Sequence, residues 1–293
     1  MQLFLDALIT SLIYSAFFSL AALGLNLIFG VMRIVNLAHG QFIVLGSYAA
    51  ILLLSTYSVN PLMALLFIVP VFFLTGIPLY YLLVPRLRKS GDPEMSSFIL
   101  FFGLSFVMEG LAIQFFGVDY RTLPYSAFRP LHVSIAGSTV PFAWIVTAAV
   151  SVFFILVIYV YLYHTRLGLQ TRALMINREE AAANGVNAGT VSAIAFSTGL
   201  TLAAAAGAFS SFISYPTSPA IGATFTLISF AIIIIGALGN PLATLVGGVV
   251  FAFTYGYTEL YFPNISSLVP FVVLVAVILI RPTGLMGRKV REF

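Results

Sequence analysis

Apolar runs of about twenty residues recur along this chain, broken by short clusters of Pro, Gly and charge, and within the runs the hydrophobicity is continuous rather than alternating. Runs of that length match the ~20 residues a helix needs to cross ~30 Å of hydrocarbon. Barrel strands would be about half as long and alternate at every second position, so the pattern predicts helices, which satisfy their own backbone in lipid. Candidate spans fall near 3–30, 36–55, 61–84, 95–117, 140–163, 190–214, 223–238, 241–260 and 266–281. The expected fold is an all-α polytopic membrane protein: a single domain over 1–293, with about nine (eight to ten) transmembrane helices and a short helix in water. Only Gly239, Asn240 and Pro241 divide the stretch 223–260. Short, Gly-interrupted pieces of that kind can be broken or re-entrant helices lining a cavity.

Composition agrees with this reading. The chain is 61% hydrophobic and 8% charged, with a mean hydropathy of +1.09. It has no cysteine, which excludes disulfides and thiolate metal sites. No basic residue precedes Arg33, and the first apolar run is too long for a cleaved leader, so that run is expected to remain as a span. If loops alternate sides, one side collects Arg33, Arg86, Arg88, Lys89, Arg166, Arg172, Arg178, Arg281, Arg288, Lys289 and Arg291. The other side keeps Arg121 and Arg129, in the loop 118–139. Basic residues in short loops mark the cytoplasmic side, which places 86–94, 164–189 and the C-terminus in the cytoplasm and, for nine spans, the N-terminus outside. The net charge of +4 is therefore topological and no sign of nucleic-acid binding. The basic tail also suits anionic lipid headgroups.

The most polar loop is 164–189, which holds five of the chain's 13 basic and nine acidic side chains. Thr165-Arg166-Leu167-Gly168 breaks the membrane pattern, and a short helix is predicted from Asn177. Asn177 is a good N-cap, Glu180 stands where it can complete a capping box, and Glu179 and Glu180 favour the positive helix start. Gly185 supplies the stop. Such a helix either connects two spans or docks a partner, and composition alone does not separate the two.

On the segment 36–47, a rotation of ~100° per residue gathers Asn36, His39, Gly40 and Ser47 on one polar, small-residue face. That face belongs inside a bundle or along a path, as packing, gating or substrate contact. His132 and His164, the other histidines, fall in loops on opposite sides, so His39 has no companions for a metal site. Glu109 lies mid-run in SFVMEGLAIQFFG and is expected to be protonated, paired or in water, with Gln114 a nearby partner and proton coupling the sharper role. No loop exceeds roughly 26 residues, and neither GxxxxGK[ST] nor GxGxxG occurs in the right setting. Nucleotide chemistry would have to come from another chain, and no catalytic set of side chains suggests enzyme activity in this one.

The chain resembles the permease subunits of ABC importers, and specifically the branched-chain amino acid (Liv-type) permease family. The loop at Arg172-Ala173-Leu174 through Asn177-Arg178-Glu179-Glu180-Ala181 to Gly185 is similar to their coupling region. GVMRIVNLAHGQFIVLG at 30–46 resembles the family's Asn-Phe-Ala-His-Gly signature, and Gly103-Leu104-Ser105 with Glu109 its fourth-span pattern. Ser218-Pro219 with Gly222 and Phe230, the stretch GALGNPLATLVGG at 236–248, and Arg281-Pro282-Thr283-Gly284 resemble its late segments. Ala237 and Ala243 stand where relatives often carry Gly, and Arg178 where many carry Pro. The resemblance implies a bacterial plasma (inner) membrane protein that needs no cofactor of its own, with ATP and Mg on partner subunits. Those partners would be a second, homologous permease, two ABC ATPase subunits and a periplasmic or surface-anchored substrate-binding protein. It implies that Arg172, Asn177, Arg178, Glu179, Glu180, Ala181 and Gly185 engage the ATPase. Asn36, His39, Gly40, Ser47 and Glu109 would serve the translocation path or its gate. The implied substrate is a branched-chain or related amino acid, with urea or short amides as the alternative within the class and a proton-coupled transporter using Glu109 as the alternative outside it.

Overall fold

The computed structural model describes residues 2–128, 131–135, 137–213 and 216–287. Arg129, Arg288, Lys289 and Arg291, whose sides the charge pattern predicts, lie outside these. Among the described residues eleven α-helices follow in order: α1 Gln2–Met32, α2 His39–Tyr57, α3 Pro61–Leu87, α4 Pro93–Phe116, α5 Phe142–His164, α6 Arg166–Ile176, α7 Arg178–Ala183, α8 Ala188–Ser210, α9 Ile221–Gly236, α10 Pro241–Tyr261 and α11 Val269–Ile280. Each of the nine apolar runs coincides with one helix. Seven are long and apolar enough to cross a membrane, while α9 and α11 are shorter. At 1.5 Å per residue, the 16 residues of α9 reach about 24 Å and the 12 of α11 about 18 Å, less than the hydrocarbon thickness.

Burial sorts the helices into a centre and a rim. The apolar windows of α1 and α8 are 83% and 89% buried, whereas those of α3, α4 and α5 are 17%, 11% and 28% buried. The central pair carries small residues where backbones touch. A Cβ on Gly24 of α1 would collide with Gly199 of α8, one on Gly46 of α2 with Ala204, and one on Gly207 with Ile43. Helices in lipid gain little from excluding water, so such close approach supplies the packing contacts instead. On the other flank of α1, Gly248 and Gly256 of α10 lie against Ser19 and Ser11.

The chain between α1 and α2 does not cross to a new side. His39 Nε2 donates to the Ala21 carbonyl at 2.8 Å, and Ala21 lies three turns, about 16 Å, before the end of α1. The non-helical residues 33–38 therefore run back along α1, and α2 begins deep in the bundle. Extended backbone is tolerated at that depth only when protein surrounds it. Asn36 consequently lies outside α2, not on its helical face as the periodicity predicts. Its Oδ1 accepts from the Ala38 amide at 3.1 Å, a local bond that competes with helix formation.

The loop 118–139 also holds more structure than a connection: β1 His132–Ile135 and β2 Ser138–Pro141 form a small antiparallel hairpin, with Gly137 at φ +88° in its turn. The loop is tied down by Gln2, whose side chain donates to Gly137 O, and by Asn60, whose side chain donates to Ala127 O. Arg121 pairs through its backbone with Thr217.

Candidate functional site

Two regions stand out chemically, a polar centre buried in the bundle and a helical elbow at one end of it. In the centre, Asn36 and His39 are fully buried and Ser47 is 1% exposed. The first turns of α2 and α9 cross so tightly that a Cβ on Gly40 would collide with the Gly222 carbonyl and lie 2.7 Å from the Thr226 amide. Gly40 N donates to Thr226 Oγ1 (3.0 Å), which itself lies 3.1 Å from Leu37 O. Gln41 Nε2 donates to Pro219 O at 3.3 Å, and Ser47 shares a 2.5 Å hydrogen bond with Thr217. Two helix N-termini thus meet inside the protein, and neither is capped by the side chain of its own N-cap residue, Ala38 or Ala220. Their dipoles add positive potential at one buried point. Beside it, Asn36 Nδ2 and His39 Nδ1 are buried without a hydrogen-bond partner among the described residues.

Asn26 is the neighbour that the sequence reading missed. It is fully buried in α1 and ties the turn between α9 and α10. Its Nδ2 donates to Asn240 O (2.8 Å), Thr244 Oγ1 (2.7 Å) and Ala237 O (3.2 Å), and its Oδ1 accepts from Gly239 N at 2.6 Å. The signal was available: a lone amide in the middle of an apolar span needs partners there as much as an acid does. Asn26→Leu leaves those turn groups unpaired, at about 1–3 kcal/mol for a buried group left unsatisfied. The purified variant is expected to lose several degrees of melting temperature by intrinsic fluorescence, which an unchanged melting temperature would contradict.

Glu109 stands apart from this centre. It is half-exposed on the rim helix α4, flanked by the exposed Phe106, Val107 and Leu111, and the described residues give it no hydrogen-bond partner, Gln114 included.

At the elbow, Thr165 Oγ1 accepts from Gly168 N and opens α6, and Gly168 packs on Tyr161 so closely that a Cβ would not fit. Tyr161 OH and Thr171 Oγ1 are 2.7 Å apart, and the Arg172 guanidinium lies 4.6 Å over the Tyr163 ring. α6 is thereby locked back onto α5. The loop is two helices rather than one continuous lever. Asn177, extended at φ −149°, closes α6 with its amide on Ala173 O and opens α7 with Oδ1 accepting from Glu179 N and Glu180 N. The capping box is not reciprocal: Glu180 Oε1 accepts from Asn177 Nδ2, because the Asn177 amide already serves α6. Gly185 ends α7 at φ +85°, with Val186 N on Ala181 O and Gly185 N on Ala182 O, the paired bonds of a Schellman stop.

Of the elbow's charged residues, Arg178 turns inward and donates to Ser192 Oγ (2.9 Å) and Ala188 O (3.4 Å) at the start of α8. Glu179 and Glu180 face solvent. Ile176, at the break, is 84% exposed beside a shallow cleft of about 330 Å³ lined by Asn177, Glu180, Ala181 and Asn184. The elbow thus presents an exposed apolar side chain and two exposed carboxylates on a short helix capped at both ends.

No solved structure matches this chain. Among curated proteins, it is 24% identical over 287 residues to a probable branched-chain amino acid transport permease protein LivH of Methanocaldococcus jannaschii, covering 94% of this chain and 90% of that one. It is 23% identical to the high-affinity branched-chain amino acid transport system permease protein LivH of Salmonella typhimurium, and 22% identical to BraD, the permease protein of the corresponding system in Pseudomonas aeruginosa. Those two alignments each cover 97% of this chain and 96% of the relative. The family described as branched-chain amino acid transport system / permease component matches residues 7–278, and this multi-pass membrane chain belongs to it.

Proposed function

We propose that the chain is the membrane-spanning subunit of an ATP-driven importer for branched-chain amino acids, with α6 and α7 as the contact for an ATPase subunit. The observation that carries this reading is the elbow. A helix of six residues is too short to hold itself in water. It is instead capped at both ends and bonded through Arg178 to α8, the most buried span. Motion at α7 would pass along α8 to α1 at Gly24–Gly199 and to α2 at Gly46 and Gly207, and so to the polar centre. There the positive ends of α2 and α9 offer a place for the carboxylate of an amino acid once the helices part. In the closed arrangement Gly40, His39 and Asn36 form the packed gate.

ATP and Mg would be bound by the partner, since this chain has no phosphate-binding motif. The wider assembly would add a second permease and a binding protein that delivers substrate, in the inner membrane, with α7 and the C-terminus in the cytoplasm and the N-terminus outside. A proton-driven mechanism gains no support from Glu109, which stands on a rim helix away from the centre.

A photocrosslinking amino acid at Ile176 tests the docking surface. It is expected to trap a partner that mass spectrometry identifies as an ATPase subunit, whereas one at Leu156, on the exposed face of α5, is not. Equal capture at both positions would overturn the assignment.

A further inference from the structure

At the same end of the bundle as α7, a second cleft opens between the end of α1, the connection from α3 to α4, and Arg178. It encloses about 560 Å³, and three guanidinium groups line it: Arg33, Arg88 and Arg178. Arg178 is held from behind by Ser192 and Ala188, so its charge is fixed in place. Arg88 is half-buried, and burial together with the nearby Arg178 charge pulls its guanidinium below the usual arginine range. Arg33 ends α1 at φ +56°, a left-handed conformation that glycine adopts at lower cost.

The cleft also contains Asp92 and Glu94, which reduce its formal charge to about +1 but do not pair with the arginines. Among the described residues none of the three arginines forms an ion pair. Asp92 Oδ1 is engaged in capping α4 through Met95 N at 3.0 Å, and Glu94 stands exposed in the first turn of α4, where the helix dipole favours it. Three guanidinium groups share the cleft with no ion pair, Arg88 lying close enough to Arg178 to feel its charge, and a bound anion would relieve that repulsion.

The position of the cleft says which anion. It lies where α1 and α3 end and α4 begins, at the boundary of three apolar spans. Immediately beyond it, the outer side of α4 is apolar and exposed at Met95, Phe98, Ile99 and Phe102. A phosphate in the cleft would thus have two acyl chains' worth of apolar surface running away from it. We propose that this cleft is a binding site for the phosphate headgroup of an anionic membrane phospholipid, whose chains lie along α4. Because Arg178 belongs to α7, the lipid would also fix the elbow's position against the bundle. The proposal rests on the chain spanning a membrane and not on the importer reading.

The full chain in nanodiscs of mixed phosphatidylcholine and phosphatidylglycerol provides the test, with retained lipid counted by native mass spectrometry. Wild type is expected to retain phosphatidylglycerol in preference to phosphatidylcholine. The R33Q/R88Q variant should lose about tenfold of that retention, and the charge-conserving R33K/R88K should keep most of it. No preference in wild type would overturn the proposal, and this outcome is read without any variant. Equal retention by wild type and R33Q/R88Q would overturn it too, including the case where that variant instead loses its ATPase partner. Displacement of phosphatidylglycerol by millimolar inorganic phosphate would assign the site to free phosphate and overturn the lipid.

Discussion

Gly40→Ala is expected to cut uptake by at least about tenfold while the protein still inserts into the membrane. The added methyl group meets the Gly222 carbonyl and the Thr226 backbone, neither of which can rotate away as a side chain would. α2 and α9 must separate, which breaks the Gly40 to Thr226 hydrogen bond and exposes two buried helix ends. Overpacking of this kind costs about 1–3 kcal/mol, and a shift of 1.4 kcal/mol between closed and open arrangements changes their ratio tenfold. The partner position provides the contrast. A Cβ on Gly222 meets the Gln41 side chain, 2.5 Å away, and that side chain can swing aside. Gly222→Ala should therefore retain most of the uptake. Radiolabelled leucine uptake, normalised to membrane-inserted protein, reads both variants. Equal loss in the two, or none in Gly40→Ala, would show that this crossing is not the gate.

Reversing both acids of the elbow, E179K/E180K, is expected to lower uptake about tenfold or more while ATP hydrolysis by the assembled complex falls much less. The two carboxylates stand in the first turn of α7, where each contributes about 0.3–1 kcal/mol against the helix dipole, and they are its solvent-facing charges. Lysines there oppose the dipole and invert the charge offered to the partner. The Asn177 Oδ1 cap on the Glu179 and Glu180 amides and the stop at Gly185 remain, while the Asn177 Nδ2 bond to Glu180 is lost, so the helix is weakened but not erased. Asn177→Ala is the complementary variant. It removes the cap at about 1 kcal/mol and leaves both charges, so it should cause only a partial loss. If E179K/E180K retains the wild-type ratio of uptake to hydrolysis, the elbow is a connector only.

The helices were legible because lipid imposes the simplest rule: the nine apolar runs are nine helices, seven of them long enough to span, since backbone in hydrocarbon has few other options. Local caps were legible for the same reason that they form. Asn177 and Gly185 act through neighbours within a few residues, and the structure departs from expectation only where Asn177 serves two helices at once. What the local pattern could not carry is pairing at a distance. Asn36 reads as helical from its spacing, but residues 33–38 run back along α1 because His39 bonds to Ala21, a contact set by tertiary packing. The tether from Asn26 to Gly239 joins residues 213 apart, and the Gly40–Gly222 crossing is equally remote. Glu109 shows the opposite failure. An acid in an apolar run signals that something special is needed, but periodicity does not say that it would fall half-exposed on the rim.

If α7 couples this chain to an ATPase, the chain moves solute only when that ATPase acts on the elbow. Proteoliposomes containing the purified chain, with and without its ATPase subunits, binding protein and internal ATP, measure this directly. No leucine accumulation above empty liposomes is expected for the chain alone, and ATP-dependent accumulation for the full assembly. Robust flux through the chain alone, whether or not a proton gradient is applied, would contradict it.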